Sequence, residues 1–276
     1  MSKGLLDPKV DFVFKNIFGS QNHPEILISF LNATLKPIKK IIRVEINKTD
    51  IEKQFIEDKY SRLDVKATTS NDEIINIEIQ LKNENNMIKR SLYYLSKMYE
   101  EQLNEKEDYS KLVRTVCINI LNFKYLKTDK FHTGYRFKEI ETNEELTDVM
   151  EVHFIEIPKL ENSSDEKDML VAWTEFLKDP ESEIVRDLEL SIDEIRQAKD
   201  ELIRMSNDKK QRELYDMRAN SLRDKISELN AAEKKGREEG IKEGKIEIVR
   251  NMKKSGLDIE SIAKLTGLSI DEIESI

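Results

Sequence analysis

The chain has 276 residues, a formal net charge of −9, and nearly equal shares of hydrophobic (38%) and charged (37%) residues. These totals allow one large domain with appendages or two domains, and they exclude a protein that coats nucleic acid by bulk positive charge. The acidic excess is C-terminal: residues 1–104 carry a formal charge of +1 and the remainder −10. No apolar run approaches the ~20 residues of a membrane span, and Asp7, Lys9, Asp11 and Lys15 interrupt the opening segment in a way unlike a secretory leader. Cys117 is the single cysteine. It suits a reduced, buried thiol in a cytoplasmic protein. His23, His132 and His153 are far apart in the sequence and have no cysteine near them, which argues against a zinc site or a histidine-based nuclease.

In chain order, DPKVDFVFKNIFG predicts a helix with Val10, Phe14, Ile17 and Phe18 on one face, ended by Gly19. Pro24 opens a second helix. IKKIIRVEI alternates as a strand. RLDVKAT is a second strand, with Leu63, Val65 and Ala67 pointing one way and Arg62, Asp64 and Lys66 the other. TSND is turn chemistry. IINIEIQL is a third strand: Ile75, Ile77, Ile79 and Leu81 are apolar, whereas Asn76, Glu78 and Gln80 are polar. MIKRSLYYLSKMYEEQL is a helix whose apolar set is Met87, Leu92, Leu95, Met98, Tyr99 and Leu103, and LVRTVCINIL is a fourth strand. The order αβββαβ predicts a mixed α/β core.

Further strands are expected at RFKEIET and DVMEVHFIEI, then an amphipathic helix with Trp173, then solvated helices over 181–235. Gly236, Gly240 and Gly244 share one helix face, which serves either close packing on another helix or a hinge. The last stretch has helix-turn-helix rhythm, with Ile259, Ile262, Ala263 and Leu265 before Gly267 and Ile270 and Ile273 after it. Its final helix carries Asp271, Glu272 and Glu274 and no Lys or Arg, which favours a protein contact over DNA. Domain boundaries are expected at 1–160, 161–235 and 236–276.

A three-residue loop at Ser70–Asn71–Asp72 would set Asp64 opposite Glu78, with Cβ atoms about 4.5–5.5 Å apart. A two-residue loop would put the two carboxylates on opposite faces. Paired carboxylates this close call for a shared proton or a bound cation, and oxygen ligands with water suit Mg²⁺. Gln80 lies on the same face and could orient a water, and Lys66 and Lys82 could supply positive charge. Equally, the polar residues could form an ordinary solvated sheet face, with Asp64 paired to Arg62 or Lys66.

The segments DPKVDFVFKNIFG, LISFLNATL, RLDVKA, INIEIQ, KRSLYYLSKMYEEQL, DYSKLVRTVCINIL and the C-terminal run from EIVRN to the end resemble, in this order, the Rpn-like family of recombination-promoting nucleases. These are often described as transposases and belong to the PD-(D/E)XK nuclease superfamily. The resemblance implies a restriction-endonuclease-like α/β (α+β) core, a central mixed sheet flanked by helices, followed by a mostly helical C-terminal region. It implies a Mg²⁺-dependent DNA endonuclease, with Mn²⁺ as a substitute, acting in recombination or on mobile DNA. Asp64 and Glu78 match the metal-binding acidic positions, with the carbonyl of Ile79 as a further ligand. Gln80 stands where the wider superfamily has lysine, which puts the water-activating group in doubt, although glutamine is usual in this branch. Asp11 and Lys15 match the N-terminal motif, and Arg90 and Tyr94 match the helix after the acidic motif. Arg90 is either a phosphate contact or half of a structural ion pair. The alternative function is a catalytically silent, nuclease-derived DNA-binding or regulatory protein. The expected partners are DNA and a second copy joined through the C-terminal helices, with no membrane. The tail could also cover the groove by mimicking DNA charge.

Overall fold

The computed structural model describes residues 4–47, 64–160 and 168–276. Arg62 and Leu63, assigned above to the second strand, lie outside them. The described residues divide into two compact units, Met1–Ala219 and Asn220–Ile276.

The first unit opens with α1 (Asp11–Phe18) and α2 (Pro24–Leu35). Six strands follow among the described residues: β1 (Val44–Asn47), β2 (Val65–Thr69), β3 (Ile74–Gln80), β4 (Thr115–Leu121), β5 (His132–Lys138) and β6 (Glu145–Glu156). Helix α3 (Met87–Glu100) joins β3 to β4. Helices α4 (Met169–Lys178), α5 (Glu183–Ser191) and α6 (Asp193–Asn207) follow β6. The sheet order is β1-β2-β3-β4-β6-β5. The β1–β2–β3 pairs are antiparallel, β3–β4–β6 parallel, and β5 returns antiparallel to β6. This is the mixed α/β architecture expected from the sequence.

Apolar residues on alternate positions of β3 and β4 (Ile75, Ile77, Ile79, Val116, Ile118 and Ile120) face the main core, shared with α1, α2 and α4–α6. Phe18 is its aromatic hub, with ring centroids 4.6 Å from Phe14, 5.4 Å from Phe30 and 5.3 Å from Trp173. On the other side α3 covers the sheet, packing Met87 and Leu95 against Cys117, Leu121, Val152 and Phe154. β3 and β4 are therefore buried on both faces, as parallel strands usually are. Burial pushes the Cys117 thiol up to about 12.

Four local expectations change. Leu92 is exposed rather than part of the buried face of α3, which consists of Met87, Ser91, Tyr94, Leu95 and Met98. The strand expected at 136–142 runs instead over His132–Lys138: residues 139–144 form the turn into β6, closed by the Glu139 N–H to Glu144 carbonyl bond, with Asn143 at a positive φ of 61°. Helices α5 and α6 are not merely solvated: Val185, Leu188, Ile195, Ala198, Leu202 and Met205 join the main core. Finally, His132 and His153 are not apart. The β5–β6 pairing stacks their rings at 5.1 Å and joins Nε2 of His132 to Nδ1 of His153 at 2.9 Å. His153 Nε2 meets Glu151 Oε1 at 2.7 Å, and Glu151 also accepts from Arg114 and Arg136. Gly134 lets the ring come close: a Cβ on it would lie 3.0 Å from the His153 ring, which would have to shift by a few tenths of an ångström.

Helix α7 (Lys209–Lys254) runs on from the first unit into the second. The second unit has its own core, Val249, Ile262 and Ile273, shared with α8 (Ile259–Thr266) and α9 (Ile270–Glu274). Gly267 ends α8 at a φ of 71°, and Ser269 and Glu272 form a capping box on α9. The space around Gly236, Gly240 and Gly244 is open to 4 Å among the described residues.

Burial, then the neighbouring His153, holds His132 down at about 4, against about 6.5 in an unfolded chain. Between these values the unfolded chain binds a proton that the folded chain refuses, so this histidine removes stability as the pH falls from 6.5 towards 4. In His132→Phe the free energy of unfolding should depend less steeply on pH across that window. At pH 8 it should be lower by about 1 kcal/mol, for the lost hydrogen bond. Denaturant titrations from pH 8 to pH 4.5 measure both.

Candidate metal centre

The β2–β3 hairpin decides which side chains meet. Asp72 N–H donates to the Thr69 carbonyl at 3.0 Å, Asp72 has a φ of 60°, and Thr69 N–H donates to the Glu73 carbonyl at 2.9 Å. This is the three-residue hairpin loop, a tight turn closed by one left-handed residue. The register pairs Val65 with Ile77 and Lys66 with Asn76, and one step further Asp64 comes to Glu78. Opposed pairs alternate between hydrogen-bonded and narrow ones, and counting from Thr69–Glu73 makes Asp64–Glu78 a narrow pair, where side chains are closest.

Asp64 caps the end of this ladder: its Oδ2 accepts the Ile79 N–H at 2.8 Å. A residue's N–H and C=O leave a strand on the same side. The Ile79 carbonyl therefore opens toward Asp64, while the Gln80 carbonyl turns the other way and accepts from Asn122 N–H at 2.9 Å. Glu78 is 1% exposed beneath α3. Its Oε2 accepts from Arg90 Nε at 3.2 Å; its Oε1 is buried and makes no hydrogen bond of ordinary geometry among the described residues, with the Asn76 side chain as its nearest polar support. Arg90 in turn lies over the Tyr94 ring, 4.9 Å from the centroid. The polar face of β3 is thus not a solvated face. Asn76 and Asn119 are also fully buried, and Ser91 Oγ of α3 donates to Asn119 Oδ1 at 2.9 Å.

Burial raises Asp64 to about 7; the Ile79 N–H opposes this, and the charges of Glu78 and Asp11 add to it. Lys15 pulls the other way, so both residues of the N-terminal motif act on Asp64 from α1. Glu78 is raised by burial and restrained by Arg90. Sequence reasoning missed Arg218 of α7, which reaches Asp11 at 3.7 Å; nothing in the local pattern marks so distant a partner. Lys66 lies 3.9 Å from Glu101 at the end of α3, and Lys82 is half-buried just past β3. Gln80 is half-buried at the end of the strand, on the Glu78 face.

Among the described residues there is no group of three or more His, Cys, Asp or Glu side chains placed to hold a metal ion. A cation between Asp64 and Glu78 would have two carboxylates, the Ile79 carbonyl and water, an oxygen-only set that fits Mg²⁺ or Mn²⁺. The Oε1 of Glu78, without a hydrogen bond of ordinary geometry, is a ready donor for it.

A family profile described as "PD-(D/E)XK nuclease family transposase" matches residues 8–232, most of the chain. The chain belongs to this family. A second profile, "Rpn/YhgA-like nuclease family, C-terminal HTH domain", matches residues 242–276, the segment that forms the end of α7, α8 and α9. Comparison with curated proteins and with solved structures gives no significant match. Membership of the PD-(D/E)XK family agrees with the mixed sheet, and the helix-turn-helix assignment fits the compact second unit. Among the described residues no helix is long and apolar enough to cross a membrane.

Because the folded chain keeps a proton on Asp64 up to about pH 7 and the unfolded chain releases it near 3.9, this group removes stability as the pH rises from 4 to 7. In the presence of chelator, Asp64→Asn should be more stable than the parent at pH 8, by about 1–2 kcal/mol. The gain should vanish below pH 4. Equal stability at pH 8 would contradict the half-buried, raised carboxyl.

Proposed function

We propose that this protein is a divalent-cation-dependent DNA endonuclease that hydrolyses phosphodiester bonds and acts on mobile or recombining DNA. The observation that carries the reading is the Asp64–Glu78 pair: adjacent strands, one register, one buried carboxylate oxygen without a hydrogen bond of ordinary geometry. Family membership supports nuclease chemistry, and the helix-turn-helix unit supports DNA as the partner. A cation bound there would polarise a phosphoryl oxygen and lower the pKa of a coordinated water.

The chain's own residues divide the remaining tasks. Asp64 and Glu78 hold the cation, with the Ile79 carbonyl. Gln80 orients the attacking water by hydrogen bonding. Its amide can neither take the proton nor carry positive charge, so the charge supplied by lysine elsewhere in the superfamily must come from Lys15, acting from α1, or Lys82. Lys66 is held toward Glu101, which makes it a weaker candidate. The glycine stripe, open among the described residues, would join a second copy of the chain.

The second reading, a nuclease fold without turnover, is favoured by Gln80 alone. Supercoiled plasmid separates the two. The parent protein with Mg²⁺ should nick or linearise it, while Asp64→Ala, or the parent in chelator, should fall to background. DNA binding without product at any Mg²⁺ or Mn²⁺ concentration would select the silent reading.

A further inference from the structure

Helix α3 meets the sheet along Met87, Ser91, Tyr94, Leu95 and Met98, and the Ser91–Asn119 hydrogen bond fixes its rotation over β4. Arg90 then falls on the flank facing β3, and Ile88 and Leu92 on the opposite flank beside Tyr135 and Phe154. An arginine fork usually takes both oxygens of a carboxylate. Here it takes one. Nε holds Oε2 of Glu78, and Oε1 is left in a buried place without a hydrogen bond of ordinary geometry. The guanidinium cannot swing freely, because its plane is held over Tyr94, itself buried.

We infer that Arg90 is the residue that positions Glu78 for cation binding, with Tyr94 as the platform that fixes Arg90. The inference rests on the proposed cation site and adds a division of labour within it. Three side-chain torsions separate the Glu78 carboxylate from the backbone. The Asn76 side chain already stands beside the carboxyl; without an anchor on Oε2 the group can settle on that amide and leave the Asp64 side. With the anchor, one oxygen is committed and the other is presented. Two other roles for Arg90 make different demands. A counter-ion that merely neutralises Glu78 competes with the cation, so its removal tightens cation binding. A phosphate contact acts on DNA affinity and leaves cation affinity alone.

The test is Mn²⁺ binding to the full-length chain by titration calorimetry without DNA, on the parent, Asp64→Ala, Arg90→Gln, Arg90→Lys and Tyr94→Leu. Far-UV circular dichroism and thermal unfolding in chelator check each fold. The parent should bind Mn²⁺ in an Asp64-dependent way. Both Arg90 variants should bind it about tenfold more weakly, as is typical when a partner that orients a metal ligand is lost, and Tyr94→Leu should lose less. Arg90→Lys keeps the charge beside Glu78 and so decides the matter if Arg90→Gln fails to fold. In plasmid cleavage at fixed Mn²⁺, kcat should fall with KM for DNA unchanged. Unchanged or tighter Mn²⁺ binding in Arg90→Lys overturns the positioning role while leaving the cation site standing, and a raised KM alone assigns Arg90 to phosphate. Absence of Asp64-dependent Mn²⁺ binding in the parent overturns the cation site and the positioning role together.

Discussion

A single carboxylate, that of Glu78, is the burden the first unit is built around. It lies in the third strand of a six-stranded sheet, covered by α3, at 1% exposure. Removing a carboxylate from water is costly unless something compensates it. The compensation is partial: one oxygen receives Arg90, and the other has only the neutral Asn76 side chain near it among the described residues. The surroundings are polar but neutral, with Asn76, Asn119 and Ser91 buried under the same helix. A fold selected for stability alone would place an aliphatic side chain here, as it does at Ile77 and Ile79 on the other face. This partly compensated carboxylate is thus the feature that sets this sheet apart from a merely structural one.

The other buried charges are treated differently. Glu151 receives Arg114, Arg136 and His153 and, although burial would raise it, is held down at about 2. Glu156 accepts two backbone N–H groups of the loop after β4 and the Lys159 ammonium. Those networks are satisfied, and they tie β5, β6 and a loop together. Set beside them, Glu78 is held by a single guanidinium contact and the neutral Asn76 side chain.

The sequence made β3 readable because its alternation is strict, but it left the Asp64–Glu78 meeting open between a two- and a three-residue loop; the Asp72 N–H to Thr69 bond and the Thr69–Glu73 pair select the three-residue form. The sequence did not reveal that the polar face is covered. Periodicity separates the two faces of a strand but does not say what lies on either, and Arg90 is twelve residues from Glu78, on a helix whose rotation depends on Ser91 meeting Asn119. The His132–His153 stack was hidden for the same reason: twenty-one residues and a β-hairpin separate the two rings. Helices α5 and α6 looked solvated because their apolar residues are sparse among charges. Spacings such as Ile195–Ala198–Leu202–Met205 nonetheless complete one buried stripe. Arg218, reaching Asp11 from α7, left no local trace at all.

The register of the β2–β3 hairpin is also held from outside its loop. Val65 and Ala67 of β2 and Ile75 and Ile77 of β3 are buried on one face, so a one-residue slip would turn them out of the core together with Asp64. Exposed turns usually absorb insertions and deletions freely, and here a changed loop length would be taken up between Thr69 and Glu73 while the two carboxylates stay on one face. The turn is thus free to drift by descent, and parting the pair takes substitution at Asp64 or Glu78 themselves.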